Sequence, residues 1–413
     1  MTTDPHTETA TAPPAEGHDC DIRPFRIEVP ERDLDDLRER LARTRWPDQL
    51  LGLGWDDGVP LGYLRELAEY WRTAYDWRKH ETCLNELPQF TTEIDGTTVH
   101  FVHARSPEPD ALPLLITHGW PGSIVELAEI IGPLSDPRAH GGNPADAFHV
   151  VAPSIPGFAF SGPTHDTGWG LRRITEAFAV LMDRLGYERY GSHGGDFGVL
   201  LSLELGRLHP GRVVGVHVSG FPTRPPRDPA ELAELSEEER QRLEAFTRFW
   251  RDGRGYAAIQ ATRPQTPAYA LTDSPVGQLA WIVEKFKEWT DSSERPEDAV
   301  DRDQLLTNVT VYWLTGTAGS SARLYKETAT ELARSNEPST VPTGVAVLPG
   351  EPFLPVRRLV ERAHDVVHWS ELDRGGHFPA MEVPDLLVGD LREFFRRFRT
   401  DGLMDLEGGR RSR

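Results

Sequence analysis

From residue 89 onward, short apolar runs alternate with amphipathic helical patterns, and that alternation leaves few folds open. Residues 97–104 (TTVHFVHA), 113–117 (PLLIT) and 147–152 (AFHVVA) read as strands. Residues 171–185 read as a helix with one apolar face, 189–193 as a strand, 197–208 as a helix and 212–218 (RVVGVHV) as a strand. Apolar strands separated by helices predict a parallel sheet covered on both faces. The rhythm stops at 222–335, which is proline-rich at its start and helical afterwards. It resumes with a strand at 344–348, a helix at 355–363, a strand at 365–369 and a helix at 384–398. A helical block inserted in this way is expected to cover the carboxyl ends of the strands, where open α/β sheets bind ligands.

Upstream of the sheet, residues 1–22 read as a disordered leader, being rich in Thr, Pro, Ala and acidic groups. Phe25, Ile27 and Val29 alternate as in a short strand. Leu34, Leu37 and Leu41 then mark a helix running up to Trp46-Pro47, and Leu64, Leu67, Ala68, Trp71 and Tyr75 mark a second. Residues 23–88 therefore form a small helical element whose apolar faces must dock on something larger.

Charge and cysteine content narrow the classes. Net charge is −20, which repels phosphate backbones and argues against nucleic-acid binding. Only Cys20 and Cys83 are present, too few for a disulfide framework or a cysteine zinc site, and a reducing cytoplasm is the expected compartment. No apolar run reaches the ~18–20 residues of a membrane span, and residues 1–19 carry no secretory signal pattern.

Four loops carry the chemistry. Gly194-Gly195-Asp196-Phe197-Gly198 falls between a strand and a helix and has the form of a nucleophile elbow with Asp at its centre. Its glycines are expected because side chains there would strike the neighbouring strand and helix. His118-Gly119-Trp120-Pro121-Gly122 follows the 113–117 strand, where such folds supply one backbone N–H of an oxyanion hole. The residue after the nucleophile supplies the other, so Trp120 and Phe197 are the candidates. His118 reads as a loop-bracing hydrogen bonder, and Trp120 as a residue that also lines the pocket. His377, in Gly375-Gly376-His377-Phe378, lies where the general base falls in the order nucleophile, acid, His. Glu351, at the end of the 344–348 strand, is the best-placed acid partner, with Asp365 and Asp373 as fallbacks; Asp365 sits at a strand start, the wrong end of the sheet. Together these loops predict an α/β-hydrolase fold with a mostly parallel central sheet and a helical lid insertion.

The chain resembles the microsomal-type epoxide hydrolases from about Arg23 to Phe398. The strings that carry the resemblance are HGWPGS at 118–123, GGDFG at 194–198, GYAAIQATRPQT at 255–266, DSPVGQLAWIVEKF at 273–286 and RGGHF at 374–378. The resemblance implies a triad of Asp196, Glu351 and His377, with two lid tyrosines at Tyr256 and Tyr325. It also implies that 23–88 is the family's N-terminal meander, 89–221 and 336–413 the two parts of the hydrolase core, and 222–335 the lid. Mammalian members carry a membrane-anchoring helix that this sequence lacks, so the soluble microbial type is expected.

The residue types suit that chemistry. An epoxide opens by displacement at a saturated carbon, which an ionised Asp can perform without a base. The departing ring alkoxide needs an acid, and phenols with pKa ~10 are neutral at pH 7 yet able to donate. No metal or organic cofactor is implied. The expected substrate is a bulky apolar or aryl epoxide, in detoxification, hydrocarbon catabolism or natural-product biosynthesis. The oligomeric state stays open, a homodimer among the options. A haloalkane or haloacid dehalogenase would use the same Asp nucleophile but needs N–H donors for a halide, commonly an indole beside the nucleophile, where this chain has Phe197. A non-catalytic binding protein on the same fold predicts a missing triad member, and none is missing.

Overall fold

The computed structural model describes residues 21–329, 331 and 338–399. The expected leader therefore lies almost wholly outside the described residues, as does the expected end of the inserted block at 335. Among the described residues nine strands form one sheet: β1 (Arg23–Phe25), β2 (Gln89–Ile94), β3 (Thr97–Ala104), β4 (Leu112–Thr117), β5 (Phe148–Pro153), β6 (Tyr190–Gly195), β7 (Val213–Ser219), β8 (Ser339–Val347) and β9 (His364–Glu371). Their order is β1-β2-β3-β5-β4-β6-β7-β8-β9. From β5 to β9 every neighbouring pair is parallel, and β1, β2 and β3 add an antiparallel edge.

Alternation along each strand sorts side chains onto two cores. Leu114 and Ile116 of β4, with Val150 and Ala152 of β5, pack on the helices Ile124–Ser135 and Pro384–Arg396 through Ile130, Leu391 and Phe394. Leu115 and Val151, between them in sequence, face the opposite way and join Ile174, Phe178 and Leu203 of the helices Leu171–Arg184 and Phe197–Leu208. Each such fully buried aliphatic or aromatic side chain stabilises the fold by roughly 1.5–3 kcal/mol. Parallel strands also bring the loops after β4, β6 and β8 to one edge of the sheet.

Several elements differ from the sequence expectation, each through a competing interaction. Only Arg23–Phe25 is strand, because the Ile27 and Val29 amides bond instead to Asn85 Oδ1 (2.8 Å) and Glu81 Oε1 (2.7 Å). The first helix, Glu31–Ala42, stops before Trp46, where the Thr44 hydroxyl takes the Leu41 carbonyl (2.8 Å). The second, Leu61–Thr73, ends before Tyr75, whose hydroxyl bonds Thr307 (2.9 Å). At 355–363 only Arg357–Val360 is helical, since pairing with β8 draws the chain into β9 at His364. The strand β2 and the helices Trp77–Leu84 and Ile124–Ser135 were not anticipated from the sequence pattern.

The described part of the inserted block is helical from Pro229–Ala233 through Ala318–Thr328. The N-terminal element docks on its helices Pro275–Trp289 and Arg302–Thr315; against the latter, Trp71 Nε1 donates to Thr310 (2.9 Å) and the Tyr70 hydroxyl to Asp303 (2.8 Å). No helix among the described residues is long and apolar enough to cross a membrane.

Candidate active site

Asp196 stands at the turn from β6 into the helix Phe197–Leu208 with φ 52° and ψ −119°, a conformation that costs a non-glycine residue about 1–3 kcal/mol. Glycines make the turn possible. A Cβ on Gly194 would run into the backbone of Gly198, and one on Gly198 into the Thr117 carbonyl of β4. A Cβ on Gly119 would strike the Asp196 carboxylate, so the two loops approach as closely as backbone allows.

The two oxygens of that carboxylate have different surroundings. Oδ1 accepts the Trp120 N–H at 2.9 Å. Oδ2 lies 3.4 Å from His377 Nε2, too long and poorly aligned for a well-formed hydrogen bond. On the other side of the ring, His377 Nδ1 meets Glu351 Oε2 at 2.9 Å. The loops bearing Glu351 and His377 are locked together and to the end of the helix Pro275–Trp289: Gly350 N–H donates to Gly375 O (2.9 Å), and His377 N–H to Trp289 O (2.8 Å). Burial by itself would lower the His377 pKa, but the flanking Glu351 and Asp196 carboxylates outweigh it and hold the imidazole well above its ordinary value.

Above the carboxylate, Tyr256 stacks on Trp120 (ring centroids 5.0 Å, 10°), and Tyr325 meets Trp120 (5.7 Å) and Phe197 (4.8 Å) edge-on. Their hydroxyls interact with each other. Burial, with the Asp196 charge adding to it, pushes both phenols above the usual tyrosine range, so both are neutral donors at pH 7. Trp289 closes the box against His377 (5.0 Å) and Tyr256 (5.4 Å).

Asp196, His377, Glu351, Trp120, Phe197, Tyr256 and Tyr325 thus converge. Of the two expected amide donors, that of Trp120 bonds the carboxylate; Phe197 starts the following helix, where first-turn N–H groups have no intrahelical partner. The fallback acids do not converge: Asp365 opens β9 at the opposite edge, and Asp373 is exposed beside Arg374. His118 braces its loop through both ring nitrogens, Nδ1 against Gly119 O (3.0 Å) and Nε2 accepting from Ile155 N–H (3.2 Å), which fixes the proton on Nδ1. Burial lowers its pKa to about 4, so it stays neutral.

Sequence reasoning missed Trp289, Glu126 and Glu382. Trp289 ends the DSPVGQLAWIVEKF helix, and its spacing from Phe286 could have flagged it. Glu126 is buried in the first turn of the helix Ile124–Ser135, and burial, with the Asp196 and Glu382 charges adding to it, pushes its carboxyl up to about 8. Glu382 accepts the Asp291 (2.8 Å) and Phe378 (2.9 Å) amides, and burial outweighs these bonds to raise it to about 7. A groove of about 890 Å³ between residues 36–64 and 273–280 includes none of these side chains.

Comparison with known proteins agrees over nearly the whole chain. A family model described as "Epoxide hydrolase N terminus" matches residues 22–127, and one described as "alpha/beta hydrolase fold" matches 113–268. A Stigmatella aurantiaca (strain DW4/3-1) protein named as an epoxide hydrolase is 47% identical over 379 residues, 92% of this chain and 86% of that protein. Epoxide hydrolase 1 of Sus scrofa is 36% identical, covering 92% of this chain and 90% of its own length. The solved structure of Aspergillus niger epoxide hydrolase superposes with a TM-score of 0.82 at 32% identity, over 91% of this chain and 96% of that one.

Proposed function

This chain belongs to the epoxide hydrolase family of α/β hydrolases, and on that premise we propose how its residues convert an epoxide and water to a vicinal diol. Asp196 Oδ2 attacks an oxirane carbon from the face opposite the breaking C–O bond. Tyr256 and Tyr325 hold the oxirane oxygen and hand it a proton as the ring opens, leaving a β-hydroxyalkyl ester on Asp196. His377, oriented by Glu351, then takes a proton from water, which attacks the carboxyl carbon of that ester. The Trp120 N–H, joined by that of Phe197, meets the charge that develops on Oδ1, a role worth about 3–4 kcal/mol per donor in comparable sites. Collapse of the tetrahedral intermediate breaks the bond from the carboxyl carbon to the ester oxygen, the former Oδ2, which takes the His377 proton and leaves in the diol. The acid proton that remains on the carboxyl returns to the ionised phenol, restoring Asp196 as a carboxylate.

The observation that carries this reading is the asymmetry of the carboxylate: Oδ1 is tied to a backbone donor, while Oδ2 has only a long contact with the imidazole and is free to react. The same arrangement times the base. Two carboxylates favour the charged form of His377 before the ester forms. Esterification neutralises one of them, so the imidazole falls back toward the neutral base that the second step requires.

The helices from Pro229 to Thr328 serve as the lid, residues 23–88 as the meander that supports it, and the aromatic box of Trp120, Tyr256, Tyr325 and Trp289 favours a bulky apolar or aryl epoxide. The test is one turnover with excess enzyme in ¹⁸O-water. The diol from that turnover should carry no label, its new oxygen having come from Asp196. Prompt labelling means direct attack by water and overturns the covalent route.

A further inference from the structure

The loop that presents the Trp120 N–H is launched from β4, but a helix of the inserted block holds its far end. Asn308 Nδ2 donates to the Pro121 carbonyl at 2.7 Å, and the Tyr312 hydroxyl donates to the Gly122 carbonyl at 2.8 Å. Ser123 Oγ donates in turn to Asn308 Oδ1 at 2.7 Å, so the amide is oriented from both ends. Ser123, Asn308 and Tyr312 are at most 1% exposed. Asn308 and Tyr312 lie one turn apart on the helix Arg302–Thr315 and reach consecutive carbonyls. Upstream, His118 holds the Gly119 carbonyl, which shares its peptide plane with the Trp120 N–H. The donor peptide is therefore gripped by the core on one side and by the helical insert on the other.

We propose that Asn308 and Tyr312 are positioning residues for the hydrolytic half of the cycle: they act through the loop they clamp, and neither touches substrate. The proposal rests on the covalent reading of Asp196. Its selectivity follows from charge flow. While the ester forms, Oδ1 gives up negative charge and needs the Trp120 donor less than before. While the ester hydrolyses, Oδ1 becomes an oxyanion and needs it most. Interactions stronger in a transition state than in its ground state accelerate that step alone, so a loosened donor slows hydrolysis and spares alkylation.

The experiment compares wild-type enzyme, Asn308→Leu, Asn308→Asp and Tyr312→Phe as full chains, using styrene oxide as the probe. Rapid-quench intact mass follows the rise and decay of the ester adduct, and thermal melts confirm folding. Tyr312→Phe removes one oxygen without changing shape, so it keeps the test available should Asn308→Leu fold poorly. Expected for Tyr312→Phe and Asn308→Leu is a ~10- to 100-fold slower adduct decay, the scale of a misplaced catalytic group, with adduct formation within about threefold of wild type. The adduct then accumulates during turnover. Asn308→Asp, which can no longer donate to Pro121 O, should slow decay in the same sense. Decay at the wild-type rate, or formation slowed as much as decay, overturns the proposal. Absence of any adduct in wild type and in His377→Gln removes the Asp196 premise and the proposal with it, a result distinguishable from the other two.

Discussion

Two histidine–carboxylate clusters lie in the same sheet, and only one is built to react. At the carboxyl edge, His377 stands between Glu351 and Asp196. Within the sheet, His217 and His368 donate to opposite oxygens of Asp390 on the helix Pro384–Arg396, at 2.8 and 2.7 Å; Ser370 joins Oδ1, and His193 contacts His217 at 3.0 Å. His217, His368 and Asp390 lie close enough to hold a metal ion, but 2.7 and 2.8 Å are hydrogen-bond separations, shorter than the about 3.3 Å that two nitrogen or oxygen ligands of one tetrahedral ion keep. Residue type is the same in both clusters; saturation is not. Both Asp390 oxygens are taken and the cluster is buried, whereas Asp196 Oδ2 has only its long contact with His377 and 22% of the Asp196 side chain is exposed. A saturated cluster holds structure together, and an unsaturated one at an accessible edge does chemistry.

Mutation should separate the two. Asp196→Ala is expected to abolish diol formation, with turnover down ~10⁴-fold or more and little change in melting temperature, since alanine keeps the same backbone turn and removes only a partly exposed carboxylate. Asp390→Ala should do the reverse, destabilising the fold by about 3–5 kcal/mol because two buried imidazoles lose their acceptor, while activity per folded molecule is retained. Denaturant titration and active-site-normalised assays read both. A loss of activity in Asp390→Ala at wild-type stability would erase the distinction.

The pH dependence sharpens the contrast. Burial alone would raise Asp390, but the His217, His368 and Ser370 bonds hold it well below the usual carboxylate range. A depressed carboxylate contributes stability above its unfolded pKa of about 3.9, lost as pH falls below that value. The loss should be seen in wild type and be missing from Asp390→Asn.

Tyr256→Phe and Tyr325→Phe should each slow adduct formation ~10- to 100-fold and leave adduct decay nearly unchanged, which stopped-flow single turnovers can resolve. A further pH-dependent effect belongs to Glu126, a buried carboxyl near both charges of the site. With its folded pKa raised to about 8, the native state keeps a proton that the unfolded chain releases, so this residue costs stability increasingly as pH rises from about 4.5 toward 8. Glu126→Gln should match wild type at low pH and become the more stable of the two as pH approaches 8. Parallel melting curves across that range would show that Glu126 ionises freely.

The sequence exposed what depends on local pattern. The β4 strand, the helix Phe197–Leu208 and the glycine-bounded Asp196 are legible because alternation and steric exclusion act over a few residues. The Arg302–Thr315 helix was opaque for the opposite reason. Leu305 through Tyr312 are buried without a break, so no exposed face marks a period and Asn308 and Tyr312 look like any other core positions.

Chain order, the turn that strains Asp196 and the residue types able to open an epoxide are thus settled in one dimension, because each rests on neighbours in sequence. The tertiary structure alone decided which oxygen of Asp196 stays open, that Asp390 is saturated while Asp196 is not, and that a helix more than 180 residues away grips the loop beside the nucleophile. Those outcomes depend on contacts between segments that meet only once the sheet has closed, and the energy of a buried polar group is set by the partner it finds there.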